Sequence, residues 1–207
     1  MKENIDEKIL EIKKAFHLRM NGVASQLMRE KGLDYKINWG IALPELKEMA
    51  KPYGKNYDLA IALWKENVRE CKILATLIMP PEKMLPQVVD IWMEQTHTQE
   101  LAELAAFNLY QHLNYAPLLA FRWIAFDSDM YQLCGYQLLA RLFMKGQEPN
   151  ERGINEFLDQ VSTALESANV NVRHAALTCV QRFCGLGDEF ALLVQKALVR
   201  HHLPMFE

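Results

Sequence analysis

The sequence predicts an all-α protein built from stacked helical hairpins. Apolar residues recur three and four positions apart along nearly the whole chain, and no segment keeps the period of two that a half-buried strand requires. Compact helical segments rich in Ala and Leu begin near Val68, Leu101, Met130 and Val172, at intervals of roughly 30 to 40 residues, which is the period of helix-pair repeats. Each is preceded by a helix of similar length, so the repeating unit is an antiparallel pair.

The helices can be assigned in order along the chain. The first helical segment covers residues 5–31, with a break expected near His17. A loop follows over residues 32–43, and Pro44 lies in the first turn of the next helix, where its missing N–H would be unbonded in any case. Further helices are predicted at 44–52, 58–66, 68–79, 82–95, 98–113, 115–126, 129–144, 151–167, 171–184 and 188–202.

The repeats determine the predicted architecture. One hairpin leaves an apolar face uncovered, so neighbours stack and a small rotation per repeat bends the stack. We therefore predict an α-solenoid of HEAT/armadillo-like antiparallel helix pairs with a concave face, forming a single domain over residues 1–207. The less charged helix of each pair is predicted to line the concave wall. The residues predicted to be buried between repeats are Leu74, Ala75, Leu104, Leu109, Leu138, Leu142, Ala176 and Val180.

Composition and charge limit the function classes. Half of the residues are apolar and 24% are charged, which excludes disordered and low-complexity proteins. The formal charge of -3 provides no general attraction to phosphate, so any contact with nucleic acid must come from a local patch. The charged N-terminal stretch and the absence of a long apolar window lead us to expect a cytoplasmic protein with no membrane contact. The four cysteines lack a C-x-x-C spacing and are expected to be reduced thiols.

One region carries a more specific pattern. Residues 39–51 read WGIALPELKEMAK, Leu63-Trp64 follows, and residues 68–75 read VRECKILA. This order and spacing resemble the N-terminal half of the AlkD-like DNA alkylation-repair family, in which Gly-Val/Ile-x-x-Pro-x-Leu-Arg/Lys begins a helix, then come Leu-Trp and an Arg/Glu-rich helix start. The resemblance covers about forty residues, and the later helix-pair layout matches over most of the rest.

The resemblance implies a C-shaped solenoid of HEAT-like repeats that cradles duplex DNA. Catalytic members of that family are DNA glycosylases that excise positively charged alkylated bases. Their hallmark is a tryptophan followed four residues later by an aspartate on one inner helix, with an arginine and a second tryptophan on the next two. Aromatic faces hold the cationic base, and the carboxylate stabilises the oxocarbenium character of the breaking glycosidic bond.

The chain departs from that hallmark. Gln99 stands where the first tryptophan belongs, and Glu103 stands where the aspartate belongs. The arginine position falls at about Leu133 and the second tryptophan at about Thr178. Glu103 is therefore the one acidic residue left at a hallmark position, and it is the candidate catalytic residue if the chain is active. Glu100 is the alternative carboxylate if the alignment of this region is displaced. Gln99 also has a structural interpretation, as the partner of Thr96 in a capping box.

Charged residues are unevenly distributed along the chain. Residues 81–112 contain one basic residue against five acidic ones, while residues 170–203 contain four basic residues against two acidic ones. The candidate cations for gripping DNA phosphates are Lys72, Arg141, Arg173 and Arg182. No spacing of His, Cys, Asp or Glu suits a metal, and no motif indicates a cofactor.

Three hypotheses follow. The first is a DNA-binding or damage-sensing relative of the glycosylases without efficient base excision, the second is an active alkylpurine DNA glycosylase that uses Glu103, and the third is a protein–protein interaction scaffold. The corresponding partners are duplex DNA or a protein in the concave groove, and the chain is expected to be a monomer. Salt-dependent DNA binding separates the first two from the third, and excision separates the second from the first.

Overall fold

The computed structural model describes residues 4–201, which are arranged as α-helices joined by short connections. The chain divides into two compact units, one ending at Leu109 and the other beginning at Tyr110. The first unit contains α1 (Ile5–Leu18), α2 (Gly22–Glu30), α3 (Leu43–Ala50), α4 (Tyr57–Lys65), α5 (Arg69–Ile78), α6 (Pro86–Glu94) and α7 (Gln99–Asn108). The second contains α8 (Ala116–Ile124), α9 (Asp129–Met144), α10 (Glu151–Ala164), α11 (Val170–Cys184) and α12 (Asp188–Ala197).

The predicted all-α class is confirmed. Within residues 4–201 no strand forms, and the one bridge-type pairing joins Ile37 to Val68. The break expected near His17 lies between Leu18 and Gly22, where α1 ends and α2 begins. The segment predicted as one helix over 98–113 is α7 followed by a single 3-10 turn. The prediction of one domain over residues 1–207 stays a prediction.

Polar caps and prolines explain where the helices begin. Asn21, Asn56 and Asn150 each accept a hydrogen bond from a backbone N–H in the first turn of the helix that follows. Pro44 lies in the first turn of α3, as predicted, and Pro86 begins α6 in the same way. These local signals are independent of packing, which is why the sequence located the helix starts well.

The predicted core is largely confirmed. Seven of the eight residues are buried, and Leu104 is half-buried. Leu104 lies four residues from both Glu100 and Asn108, whose polar side chains bond to α5. Leu104 therefore lies at the polar edge of the contact between α7 and α5, and not in the centre of the core.

Contacts in the first unit repeat at the predicted interval. Arg69 bonds to Glu100 and Trp64 Nε1 donates to Gln95 Oε1, each pair being 31 residues apart. Asn108 Nδ2 donates to Thr76 Oγ1 across 32 residues. Equivalent positions of successive helix pairs are thus in direct contact, as a stack of repeats requires.

The second unit is built around α9, which packs against α8 and α11. Gly135 allows α8 and α9 to approach closely, because a Cβ at this position would lie 2.9 Å from the Ile124 backbone nitrogen. Among the described residues, no helix is both long enough and apolar enough to cross a membrane.

All four cysteines are thiols, as expected. Cys71, Cys134 and Cys179 are buried, and Cys184 is half-buried. Burial raises the pKa of Cys71 to about 12 and also raises the pKa of Cys179 and Cys184. These thiols therefore stay protonated at neutral pH.

Candidate functional site

The predicted site residues of the first unit lie at the start of α7. Thr98 is the N-cap, and its hydroxyl accepts a hydrogen bond from Leu101 N and shares another, of 2.6 Å, with the Tyr35 hydroxyl. Gln99 Nε2 donates to Glu103 Oε1 at 2.8 Å, and both side chains are half-buried. The sequence-predicted pair is thus brought together, with the amide directed at the carboxylate.

The capping-box interpretation of Gln99 is wrong. Thr96 lies outside α7, and its hydroxyl donates to Trp92 O at the end of α6. Thr98 is the N-cap, and its hydroxyl bonds both to Leu101 N and to the Tyr35 hydroxyl. The amide of Gln99 instead bonds to the next turn of its own helix.

Glu100, the alternative candidate carboxylate, is paired with the buried side chain of Arg69. Arg69 Nε donates to Glu100 Oε2 at 2.8 Å, and Arg69 Nη2 donates to Glu100 Oε1 at 2.6 Å. This bidentate geometry is the strongest form of Arg–carboxylate pairing. Burial alone lowers the pKa of Arg69, but the hydrogen bonds and charges of Glu100 and Glu70 outweigh it and the pKa is raised. Glu100 is therefore a structural anion.

The same arginine reaches the loop before α3. Arg69 Nη1 donates to Ile41 O at 3.0 Å and to Glu70 Oε1 at 2.9 Å. Glu70 in turn accepts hydrogen bonds from Trp39 N and Ile41 N. Arg69 and Glu70 are both buried, so the two charges compensate each other and also satisfy the backbone of the 39–41 loop.

The other two predicted positions lie in the second unit. Leu133 is a buried residue of α9. Thr178 is half-buried in the middle of α11, four residues from His174 on one side and from Arg182 on the other, both of which are exposed. Thr178 therefore shares the exposed, polar stripe of α11, while Leu133 belongs to the core.

Residues 25–132, just over half of the chain, match the family described as "DNA alkylation repair enzyme". The chain belongs to the DNA alkylation repair enzyme family. The resemblance found in the sequence is thereby confirmed. No curated protein matches the chain.

A solved structure supports the same fold. It is described as "A new family of proteins related to the HEAT-like repeat DNA glycosylases with affinity for branched DNA structures" and is similar to this chain with a TM-score of 0.79. The two share 18% sequence identity, over 91% of this chain and 82% of that chain. At this identity the likeness shows the fold, and the predicted HEAT-like repeat architecture is confirmed at that level.

The site assignments within this DNA alkylation repair family member stay predictions. The structure shows what each position offers: an amide at Gln99, a carboxylate at Glu103, a buried aliphatic side chain at Leu133 and a hydroxyl at Thr178. None of the four provides an aromatic face or a guanidinium group.

The four predicted phosphate-binding cations differ in what they contact. Lys72 Nζ donates to Trp64 O and lies 4.4 Å from the centroid of the Trp64 ring, and burial lowers its pKa. The Arg173 guanidinium donates to Ser167 O near the start of α11. Arg141 is half-buried on α9, and Arg182 is exposed near the end of α11. Of these four, Arg182 is the side chain most open to a phosphate group.

No group of three or more His, Cys, Asp or Glu side chains within residues 4–201 is arranged to hold a metal ion.

Sequence reasoning missed the Arg69 network. From the sequence, the Val-Arg-Glu start of α5 is interpreted as part of the family pattern, and no structural role is assigned to Arg69. A usable signal was present, because Arg69 and Glu100 are separated by one repeat interval. In a repeat protein, a charged pair at that spacing at the starts of two otherwise apolar helices predicts an inter-repeat ion pair.

Proposed function

We propose that this chain binds DNA in the concave groove that its repeat pattern predicts, with a preference for branched DNA, and does not excise alkylated bases efficiently. Membership of the DNA alkylation repair family supports a DNA ligand. The related solved protein is described as having affinity for branched DNA structures, which supports the preference.

The observation that carries the proposal is the hydrogen bond between the candidate catalytic carboxylate, Glu103, and the amide of Gln99. Glu103 accepts a hydrogen bond from the Gln99 amide, the residue at the position where the resemblance places a tryptophan. A cation–π contact in a desolvated site is worth about 2 kcal/mol, so the loss of two aromatic contacts would slow excision by about a thousandfold. An amide and a hydroxyl cannot replace that attraction for a cationic base.

The neighbouring carboxylate does not rescue catalysis. Glu100 holds two hydrogen bonds from Arg69, and that arginine is buried with the loop before α3. Releasing Glu100 toward a substrate would remove two of the hydrogen bonds of a buried guanidinium and leave it only Glu70 as a charged partner, at a cost of several kcal/mol. The fold therefore keeps Glu100 in its structural role.

DNA binding is tested with labelled linear duplex, alkylated duplex and four-way junction DNA, at two salt concentrations. We expect measurable affinity that falls steeply as salt rises, because phosphate contacts release counterions, and tighter binding to the junction than to either duplex. Absence of DNA binding, together with capture of a protein partner that is insensitive to salt, would favour the interaction scaffold.

Excision is tested on duplex DNA that contains a methylated purine. We expect release no faster than spontaneous loss, and no difference between the native chain and Glu103→Gln. Release well above the spontaneous rate that Glu103→Gln abolishes, with Glu45→Gln as an exposed control on α3, would establish the active glycosylase instead.

A further inference from the structure

Helix α2 contributes little to the core of the first unit. Its buried residue is Ser25, whose hydroxyl donates to Asn38 O at 2.7 Å. Met28 is half-buried, and its sulfur accepts a hydrogen bond from Asn38 Nδ2. This nine-residue helix therefore buries little apolar surface and adds little to core packing.

Instead, the apolar side chains of this region point into solvent. The exposed fraction is 51% for Met20, 73% for Val23 and 50% for Leu27. Val23 and Leu27 are four residues apart and share one face of the helix. We call Val23 and Leu27, together with Met20 just before the helix, the α2 apolar face. Leu18, at the end of α1, is 83% exposed beside it in the sequence.

The position of α2 is nonetheless fixed. Asn21 N donates to Trp39 O at 2.8 Å. Gly40 has a φ of 71°, and a Cβ at this residue would lie 2.2 Å from Asn21 O and 2.7 Å from Ser25 N. The backbone of α2 is therefore in direct contact with the 39–41 loop, and the backbone of that loop is hydrogen-bonded to the side chains of Glu70 and Arg69. The apolar face of α2 is thus presented to solvent by a helix whose position is fixed by backbone contacts.

The segment of the chain that contains this face carries a net positive charge. Residues 14–36 contain five lysines and arginines against two acidic residues, although the chain as a whole carries -3. Lys14, Arg19, Arg29, Lys31 and Lys36 are all exposed. Apolar side chains flanked by exposed cations complement a ligand that combines phosphates with accessible base faces.

We propose that the α2 apolar face is the element that recognises the branch point of DNA, a proposal that rests on the proposed function. The flanking cations contact the phosphates of two arms, and the apolar side chains pack on bases at the branch. Inserting an apolar wedge into an intact duplex costs a few kcal/mol of unstacking. That cost is lower where bases are already unpaired or unstacked, so the same contact favours a junction over a linear duplex.

The test compares the full chain with the double variant Val23→Gln/Leu27→Gln. Both side chains are exposed and glutamine is a good helix former, so we expect the variant to fold, as checked by circular dichroism. The matched control is Leu118→Gln/Leu192→Gln, which replaces residues that are 74% and 54% exposed on α8 and α12. Affinity is measured for a four-way junction and for a linear duplex of the same arm sequence.

We expect the variant to bind the junction at least tenfold more weakly and the duplex within twofold of the native chain, with the control unchanged on both. A base analogue whose fluorescence rises on unstacking, placed at the branch, should respond to the native chain and not to the variant. Unchanged junction affinity, or an equal loss on both DNAs, overturns the assignment of this face while leaving DNA binding intact.

Two further outcomes also decide against it. If the native chain binds no DNA, the proposed function fails and this inference fails with it. If the native chain binds phosphatidylglycerol vesicles and the double variant does not, with junction affinity the same for both, the face is a membrane-surface element and the DNA proposal is overturned.

Discussion

The guanidinium of Arg69 connects three parts of the first unit. It bonds to Glu100 on α7, to Glu70 beside it on α5, and to the carbonyl of Ile41 before α3. Each of the three guanidinium nitrogens donates to at least one oxygen, and such pairing is the condition under which a buried charge is tolerated. Removal of one member of the network should therefore destabilise the protein, because it leaves the remaining buried charges uncompensated.

We expect Arg69→Met to destabilise the protein by about 3–5 kcal/mol, because Glu70 and Glu100 would lose their common partner. The free energy of unfolding from urea titration measures this. Lys51→Met is the control, since the Lys51–Glu48 pair is about two-thirds exposed and should change stability by less than about 1 kcal/mol. A loss for Arg69→Met no larger than the control would show that the network contributes little.

The residue scale is also where the sequence was least informative. Lys72 stays a predicted DNA contact, but the sequence does not indicate that its ammonium group donates to Trp64 O and lies over the Trp64 ring. Thr96 was predicted as a cap, yet Thr98 holds that position. Both features depend on which of several nearby side chains makes a given contact, and a single sequence does not rank these alternatives.

At the scale of elements, the helices and their order follow from the apolar period and from the start signals. These depend on residues within one or two turns, which is why the assignments of α3 to α12 came close to the structure. The position of α2 did not follow, because it depends on Gly40, ten residues after α2 ends. The sequence therefore predicts the break before α2 but not the loop against which α2 packs.

Gly40→Ala should be much more destabilising than Gly146→Ala. Both glycines have a positive φ, 71° and 72°, so each substitution incurs a similar backbone cost of about 1 kcal/mol. A Cβ meets nothing within 4 Å at Gly146, whereas at Gly40 it collides with the backbone of α2. We expect a further loss of about 1–3 kcal/mol at Gly40, with faster amide hydrogen exchange confined to α2. Equal losses in thermal unfolding would contradict this account of the contact.

Leu138→Ala tests the packing of α9. Leu138 is fully buried in the helix that packs against both α8 and α11. Truncation removes apolar contacts and leaves a cavity, so we expect a loss of about 2–5 kcal/mol in denaturant titration. Leu118→Ala on exposed α8 surface should cost less than about 0.5 kcal/mol. A small effect at Leu138 would mean that the helices close around the gap.

On the scale of the whole molecule, the charge distribution matters more than the total. Although the net charge of the chain is -3, basic residues outnumber acidic ones in residues 14–36 and in residues 170–203. The sequence revealed the second of these but could not show which cations remain available. Arg173 is bonded to the Ser167 carbonyl, while Arg182 extends from the exposed stripe of α11 that also contains Thr178.

If Arg182 contacts a phosphate, Arg182→Gln should lower the slope of log affinity against log salt by about 1. The effect should be similar for linear and branched DNA, because phosphate contacts carry no base information. Lys196→Gln, another exposed cation in the same stretch, is the comparison. An unchanged slope in Arg182→Gln would remove this residue from the interface.

The burial of the thiols has a chemical consequence for a member of an alkylation repair family. Electrophiles that methylate DNA bases also attack cysteine, and the thiolate is the form that reacts. Cys71 has a pKa of about 12, and Cys179 is fully enclosed. Both are therefore poor nucleophiles at neutral pH, so we expect these two thiols to react slowly with methylating reagents while the protein stays folded.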